Sequence, residues 1–332
     1  MTDPARTDLT VAVLAGGLSH ERDVSLRSGR RIASVLRDAG ATVEEWDTDT
    51  ALLGRLRTAR PDAVVVALHG GEGENGAVQS VLELVGVPYV GTRAPDCRRA
   101  HDKPTAKTEL LRAGLHTPEW VALPQATFRE LGAAGVLDAL VARFGLPLML
   151  KPDQGGSALG AHVVRDAAEL PAAMVGTLAY GDTVLVERFV EGVEVAASVV
   201  DTGDGPVALP AVEVEPGNGV YDYRARYTAG LTRFHCPARL TDDVAQRVAD
   251  AAVAAHRALG LRDLSRTDAV VDHDGRVQLL EVNVSPGLTE NSLLPRAVTA
   301  AGRDLAEVFT RLVDRAVARG AGGCDTSASF SG

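Results

Sequence analysis

The order of elements in the first hundred residues constrains this chain more than any other feature. Thr10 to Ala15 reads as a buried strand stopped by Gly16-Gly17, Val24 to Ala39 as a helix, and Ala41 to Trp46 as a second strand. A polar helix, the apolar strand Ala63 to Leu68 and a helix over Ala77 to Val85 follow. This βαβαβ succession specifies a parallel sheet with right-handed crossovers, and so an α/β fold. Ligands of such sheets sit beyond the carboxyl ends of the strands. That directs attention to two loops, Gly16 to Asp23 and His69 to Gly76.

A second unit begins near Pro95, with a helix over Lys103 to Arg112, a strand over Thr117 to Leu123, a helix over Phe128 to Arg143 and a strand over Leu146 to Lys151. The glycine-rich loop Pro152 to Gly160 closes it. Two strands, Thr183 to Val190 and Glu194 to Val200, read as a hairpin turning at Glu191-Gly192. Pairing Val190 with Val193 then places Glu187 and Glu194 on one face, either as two acids for a nucleoside or as an ordinary polar edge. The strand Val207 to Glu215, a long polar loop over residues 216–232, a helix over Asp242 to Leu259, the hairpin Arg266 to Asn283 and two closing helices complete the order. With 332 residues the chain exceeds what one core of about 250–300 residues supports. The expected units are 1–97, 98–186 and 187–319, with 320–332 as a disordered tail.

Composition excludes several classes. A net charge of −10 argues against nucleic-acid binding, which needs a basic stripe. No apolar stretch reaches the roughly 18 residues of a membrane helix, and the run Val11 to Ala15 is too short for a signal core, so a cytoplasmic protein is expected. Cys97, Cys236 and Cys324 stand far apart, indicating neither a zinc site nor a disulfide framework. Of 34 basic residues only Lys103, Lys107 and Lys151 are lysine. Where arginine replaces lysine this freely, the lysines that remain are candidates for work a planar fork does badly, such as serving as a compact charge on phosphate.

The hairpin at 266–283 carries the sharpest arithmetic. A two-residue turn at Asp274-Gly275 pairs Asp268 with Glu281 and Arg266 with Asn283. Strand periodicity then converges these four on one face and puts Ala269, Val271, Leu280 and Val282 on the other. Two carboxylates, an amide and a nearby arginine suit a magnesium ion held together with phosphates; an exposed salt-bridged sheet face is the alternative. The loop DQGGSALG (153–160) is followed by Ala161 and His162, which excludes a Walker P-loop.

The segments AGGLSHERDVSLRSG (15–29), ALHGGEGENG (67–76), AHDKPTAK (100–107), LKPDQGGSALG (150–160), VLVERFVEG (184–192), YDYRARY (221–227), RTD (266–268) and LLEVNVSPGLTENSLLP (280–295) together resemble the D-alanine:D-alanine ligase family. The resemblance runs in order from about residue 10 to 315 and implies the ATP-grasp architecture, three α/β domains whose first is a parallel-sheet unit. It implies ATP-dependent ligation of two D-alanines through a D-alanyl phosphate, for peptidoglycan precursors. The implied cofactors are ATP and two magnesium ions, with manganese as a substitute. A homodimer without nucleic-acid or membrane partners is implied as well. Carried over residue by residue, Lys103 and Lys151 would hold phosphates, while Glu187 and the backbone of Val190 would hold adenine and Glu194 the ribose. Asp268, Glu281 and Asn283 would bind the metals. Glu21 would anchor the first substrate's ammonium with His69 nearby, and Asp268 also borders this substrate site. Arg266 and the amide of Gly287 would stabilise the oxyanion, and Ser292 with the backbone of Leu293 would receive the second carboxylate. Glu21, Ser157 and Tyr227 would form a latch, with Ser157 also over the nucleotide.

The sequence departs from the family pattern at Arg226, where a lysine on the terminal phosphate is usual, and at Gly155, Ala158 and Asn291. These bear on nucleotide affinity and closure rather than on reaction type. The rival readings are a related ligase for D-lactate, D-serine or an antibiotic pathway, and a non-catalytic nucleotide-binding paralogue. Tyr227 at the latch is a neutral phenol and His235 lies in the following strand, so D-alanyl-D-alanine is the expected product.

Overall fold

The computed structural model describes residues 9–217, 219, 221, 225, 226, 228 and 230–320. The N-terminal order is as the sequence predicts: β1 (Thr10–Leu14), α1 (Arg22–Asp38), β2 (Thr42–Trp46), α2 (Leu52–Ala59), β3 (Ala63–Val66), α3 (Ala77–Val85) and the short β4 (Tyr89–Val90). These strands form one parallel sheet in the order β2-β1-β3-β4. β1, apolar after Thr10, and the all-apolar β3 are central and buried on both faces, as parallel strands covered by crossover helices must be.

Helices α4 (Ala94–His101) and α5 (Lys103–Arg112) lead into a second sheet made of β5 (Trp120–Pro124), β6 (Leu148–Pro152), β7 (His162–Val164) and β8 (Thr183–Arg188), ordered β5-β8-β6-β7. The single helix expected over 128–143 is two, α6 (Gln125–Leu131) and α7 (Ala133–Phe144), because Gly132 takes a left-handed φ of 85°. α8 (Leu170–Leu178), unmarked in the sequence reading, packs on β6 and β7. This sheet has its own apolar core, drawn only from residues between Val121 and Val186.

The third sheet contains β9 (Gly192–Val200), β10 (Val207–Ala208), β11 (Val212–Pro216), β12 (Thr232–His235), β13 (Leu264–Asp272) and β14 (Val277–Asn283), flanked by α9 (Asp242–Ala258), α10 (Leu293–Ala300) and α11 (Leu305–Arg319). The hairpin expected at 183–200 is not one. β8 pairs with β5 and β6, whereas β9 pairs with β10, β11 and β13, so residues 189–191 carry the chain between sheets. The strand expected over 207–215 is broken at Pro210, which has no N–H for a ladder. The first and third sheets share one core, in which Val13, Val65 and Ile32 meet Val200, Leu294, Phe309 and Leu312.

The β13–β14 register is right where it matters and wrong beyond. Arg266 opposes Asn283 and Asp268 opposes Glu281, but Ala269 opposes Leu279, leaving a bulge at Leu280. The turn is one residue longer than expected: Gly275 N–H donates to Asp272 O at 2.9 Å and Asp272 N–H to Arg276 O at 3.0 Å. The longer turn and the bulge cancel. Leu279 therefore takes the packing position assigned to Leu280, at 1% exposure, and Leu280 joins Glu281 on the opposite face.

Candidate active site

The second and third sheets face each other across a cleft with a cavity of about 380 Å³. Lys103, Lys151, Glu187, Val190, Glu194, Arg226, Asp268 and Glu281 all line it. A second chamber of about 570 Å³ opens beyond the carboxyl ends of β1 and β3, where the parallel sheet predicts a ligand. It gathers Glu21, His69, Ser157, Arg266, Asn283, Gly287, Ser292 and Leu293. The two chambers meet at Gly156, Tyr221, Arg226 and Glu281. Tyr227, expected at the latch, lies outside the described residues, as do residues 321–332 of the tail.

The nucleotide-side chamber is built on buried charge. Lys103 starts α5, donates to Gly155 O at 2.7 Å and stands 3.7 Å from Glu281. Burial pulls the Lys103 pKa down, while that ammonium, Arg226 and Lys151 overcome the burial of Glu281 and hold its carboxyl at about 2. Glu187, expected at the adenine, lines the cleft and is almost fully buried. Its carboxylate is gripped by Lys151 at 2.6 Å and by Lys107. Lys107, the lysine without an assigned role, is 1% exposed and also donates to Thr117. Its DKPTAK spacing was the available signal: positions i and i+4 of one helix share a face. Burial raises Glu194 to about 7.

In the second chamber Glu21 sits between two loops. A Cβ on Gly70 would lie 2.6 Å, and one on Gly156 3.2 Å, from Glu21 Oε2, so both glycines let the loops close on this carboxylate, and Gly70 also holds a left-handed φ of 69°. Ser157 Oγ donates to Glu21 Oε1, joining the phosphate-side loop to the first sheet. Ser157 and Ala158 both adopt left-handed φ values, 53° and 55°, which non-glycine residues seldom hold without cause. Arg266 binds Asp268 through two nitrogens, at 2.6 and 2.8 Å, and that pairing raises its already high pKa.

His69 lines this chamber with Glu21, as expected of a residue near the first substrate. Its Nδ1 lies 3.0 Å from Ser285 O and its Nε2 2.8 Å from Ser28 Oγ, and the Ser28 hydroxyl in turn accepts from Leu288 N–H at 3.1 Å. A carbonyl can only accept, so Nδ1 carries the proton and Nε2 accepts from Ser28. Burial depresses the pKa further. Both ring nitrogens are engaged, so the neutral ring braces the chamber wall. Glu74, missed in the sequence reading, lines the same chamber, and burial beside Glu21 raises it to about 7. Its only mark in the sequence was membership of the glycine-rich loop.

The metal candidates are cross-strand neighbours on one face. Asp268 keeps a second lone pair on each oxygen, and Asn283 Oδ1 accepts from Ser285 N–H at 2.8 Å with a lone pair left. Among the described residues no three His, Cys, Asp or Glu side chains cluster. Two carboxylates and an amide suit magnesium completed by phosphate oxygens, not a cage made of protein alone.

A nucleotide-sized cleft between two antiparallel α/β sheets, fed by a parallel-sheet domain, is the ATP-grasp architecture of carboxylate ligases. Family descriptions agree: "D-ala D-ala ligase C-terminus" matches residues 110–314 and "D-ala D-ala ligase N-terminus" residues 40–92. The D-alanine–D-alanine ligase of Anaeromyxobacter sp. (strain Fw109-5) is 42% identical over 310 residues, 93% of this chain and 97% of that protein. That of Moorella thermoacetica is 37% identical over 93% of this chain and 99% of its own length. The crystal structure of the Bacillus anthracis enzyme superposes with a TM-score of 0.80 at 29% identity, covering 93% of this chain and 98% of that one. The chain belongs to the D-alanine–D-alanine ligase family.

Proposed function

We propose that this protein joins two D-alanine molecules into D-alanyl-D-alanine at the expense of ATP. The observation that supports this best is the junction of the chambers, where Arg226 and Glu281 border both a cation-rich cleft and a site flanked by Glu21, Arg266 and Ser292. When bound, ATP supplies the phosphoryl group that activates the first carboxylate as an acyl phosphate, and magnesium offsets charge on the phosphates.

In this reading Lys103, Lys151 and Arg226 hold the phosphates, and Asp268, Glu281 and Asn283 are the oxygen donors for the metal. Glu21 receives the first substrate's ammonium. The guanidinium of Arg266, fixed by Asp268, and the N–H of Gly287 are aimed at the oxygen that gains charge when the second amine attacks, a contribution of about 10²–10³ in rate per donor. A Cβ on Gly287 would lie 2.7 Å from Ser292 Oγ, so a side chain there would displace the Ser292 hydroxyl. Ser292 stands at the N-cap position of α10 with its hydroxyl bonded to Thr289 instead of to the helix, so the first N–H groups of α10 are left for an incoming carboxylate. His235 is committed to Glu215 at 2.8 Å, which favours an amine over a hydroxyl acceptor. A homodimer acting in the cytoplasm belongs to the same proposal.

Phosphate release with ATP, magnesium and D-alanine, with the dipeptide identified by mass, tests the reading. Release without dipeptide, or no release, refutes it. Glu281→Gln should raise the magnesium concentration needed for half-maximal rate by about tenfold, the loss of one charged ligand.

A further inference from the structure

Arg226 is held in an unusual way. Its Nε is buried with no hydrogen-bond partner, and among the described residues no carboxylate lies within ion-pair distance. Its guanidinium lies over the face of Tyr221, 4.4 Å from the guanidinium carbon to the ring centroid. Tyr221 meets Phe234 edge-on, with centroids 6.2 Å apart and planes at 82°. Arg296 then lies over Phe234 at 5.1 Å and donates to Asn291 O at 3.2 Å, next to Ser292. The result is a ladder of cation, ring, ring and cation from the junction of the chambers to the start of α10. Each step has favourable geometry, a cation over a ring face or one ring's edge toward another.

We propose that Phe234 and Arg296 are positioning residues for the ligation, acting through Tyr221 to fix the guanidinium of Arg226. This rests on the reading in which Arg226 meets the terminal phosphate. With Glu194 and Glu281 attracting it only at longer range and, among the described residues, no hydrogen bond to orient it, the guanidinium keeps rotamer freedom that the ladder removes before the nucleotide arrives. The same contact holds the Asn291–Ser292 segment, so one stack presents both the phosphate contact and the acceptor contact.

The test is calorimetric titration of ATP and of ADP, without D-alanine, into the wild type and four variants, alongside steady-state rates. Phe234→Leu keeps an apolar filler and removes the ring; it should weaken ATP about 3- to 10-fold and ADP much less, while Phe234→Tyr stays within about twofold. In the Arg226→Ala background, Phe234→Leu should add almost nothing, because the two act as one unit. Equal losses for ATP and ADP, or additive losses in the double variant, would overturn the proposal. Arg296→Gln, at a half-buried position, gives the same decision if Phe234→Leu does not fold: weaker ATP supports the ladder and unchanged ATP refutes it. If Arg226→Ala alone leaves ATP affinity untouched while the wild type makes dipeptide, the assignment of Arg226 to phosphate has failed, and the ladder with it. An effect of Arg226→Ala without one of Phe234→Leu sinks the ladder alone.

Discussion

Lysine scarcity points to phosphate chemistry, and at the residue scale its lesson is partly structural. Lys103 and Lys151 line the cleft as that argument requires, but Lys107 is the most deeply buried of the three and shares Glu187 with Lys151. A buried acid facing two ammoniums depends on both. Lys107→Ala, which sequence alone would rate harmless, should therefore cost about 3–5 kcal/mol in urea unfolding and weaken nucleotide binding. A loss below about 1 kcal/mol would show the pair to be dispensable. His256 offers a pH test far from the chemistry. It is 2% exposed, bonded through Nδ1 to Ser265 at 2.8 Å, and burial lowers its pKa to about 4. A histidine depressed in the folded state contributes stability above its unfolded pKa of about 6.5, and that stability is lost as pH falls toward 4. Replacing it in His256→Gln removes this slope. The variant's deficit should shrink by on the order of 1–3 kcal/mol between pH 7 and pH 4.5, and a pH-independent deficit would contradict the assignment.

Element by element, strand and helix periodicity made the parallel sheet legible, whereas the Asp268–Glu281 pairing came out as expected only because the longer turn and the bulge at Leu280 offset one another. What stayed hidden were irregularities that leave no compositional mark. The bulge at Leu280 has no glycine to announce it, and the crossing at residues 189–191 looks locally like a turn between two strands. Only the partners in space, β5 and β6 on one side and β13 on the other, separate β8 from β9. The bulge gives a direct comparison of adjacent leucines. Leu279→Ala empties a core position and should cost about 2–4 kcal/mol. Leu280→Ala, facing the cleft, should cost under about 1 kcal/mol yet raise the KM for ATP several-fold. Equal unfolding losses would restore the unbulged register.

On the scale of the whole molecule, the candidate site was readable because eight short segments, scattered from residue 15 to 295, all converge on two joined chambers. The fastening of the first sheet to the third was not. Asp263, fully buried at φ 66°, accepts from Gly91 N–H at 2.8 Å and from both terminal nitrogens of Arg319 at 2.6 and 2.7 Å. Asp263→Asn keeps the left-handed backbone but strips the charge, and should cost about 2–4 kcal/mol by thermal or urea unfolding. No change would mean that the shared core suffices. Because that core fuses two sheets while the second has a core of its own, the molecule is a rigid frame carrying one arm. The arm joins the frame at two adjacent strand ends, near residues 113–119 and 189–191, and is pinned at its far tip by Lys103 to Gly155 and by Ser157 to Glu21. Those pins are made of the same groups assigned to phosphate and to the first amino acid. On the proposed roles, each arriving substrate would contend with a fastener for the same side chain, making occupancy of the site and release of the arm one exchange of partners.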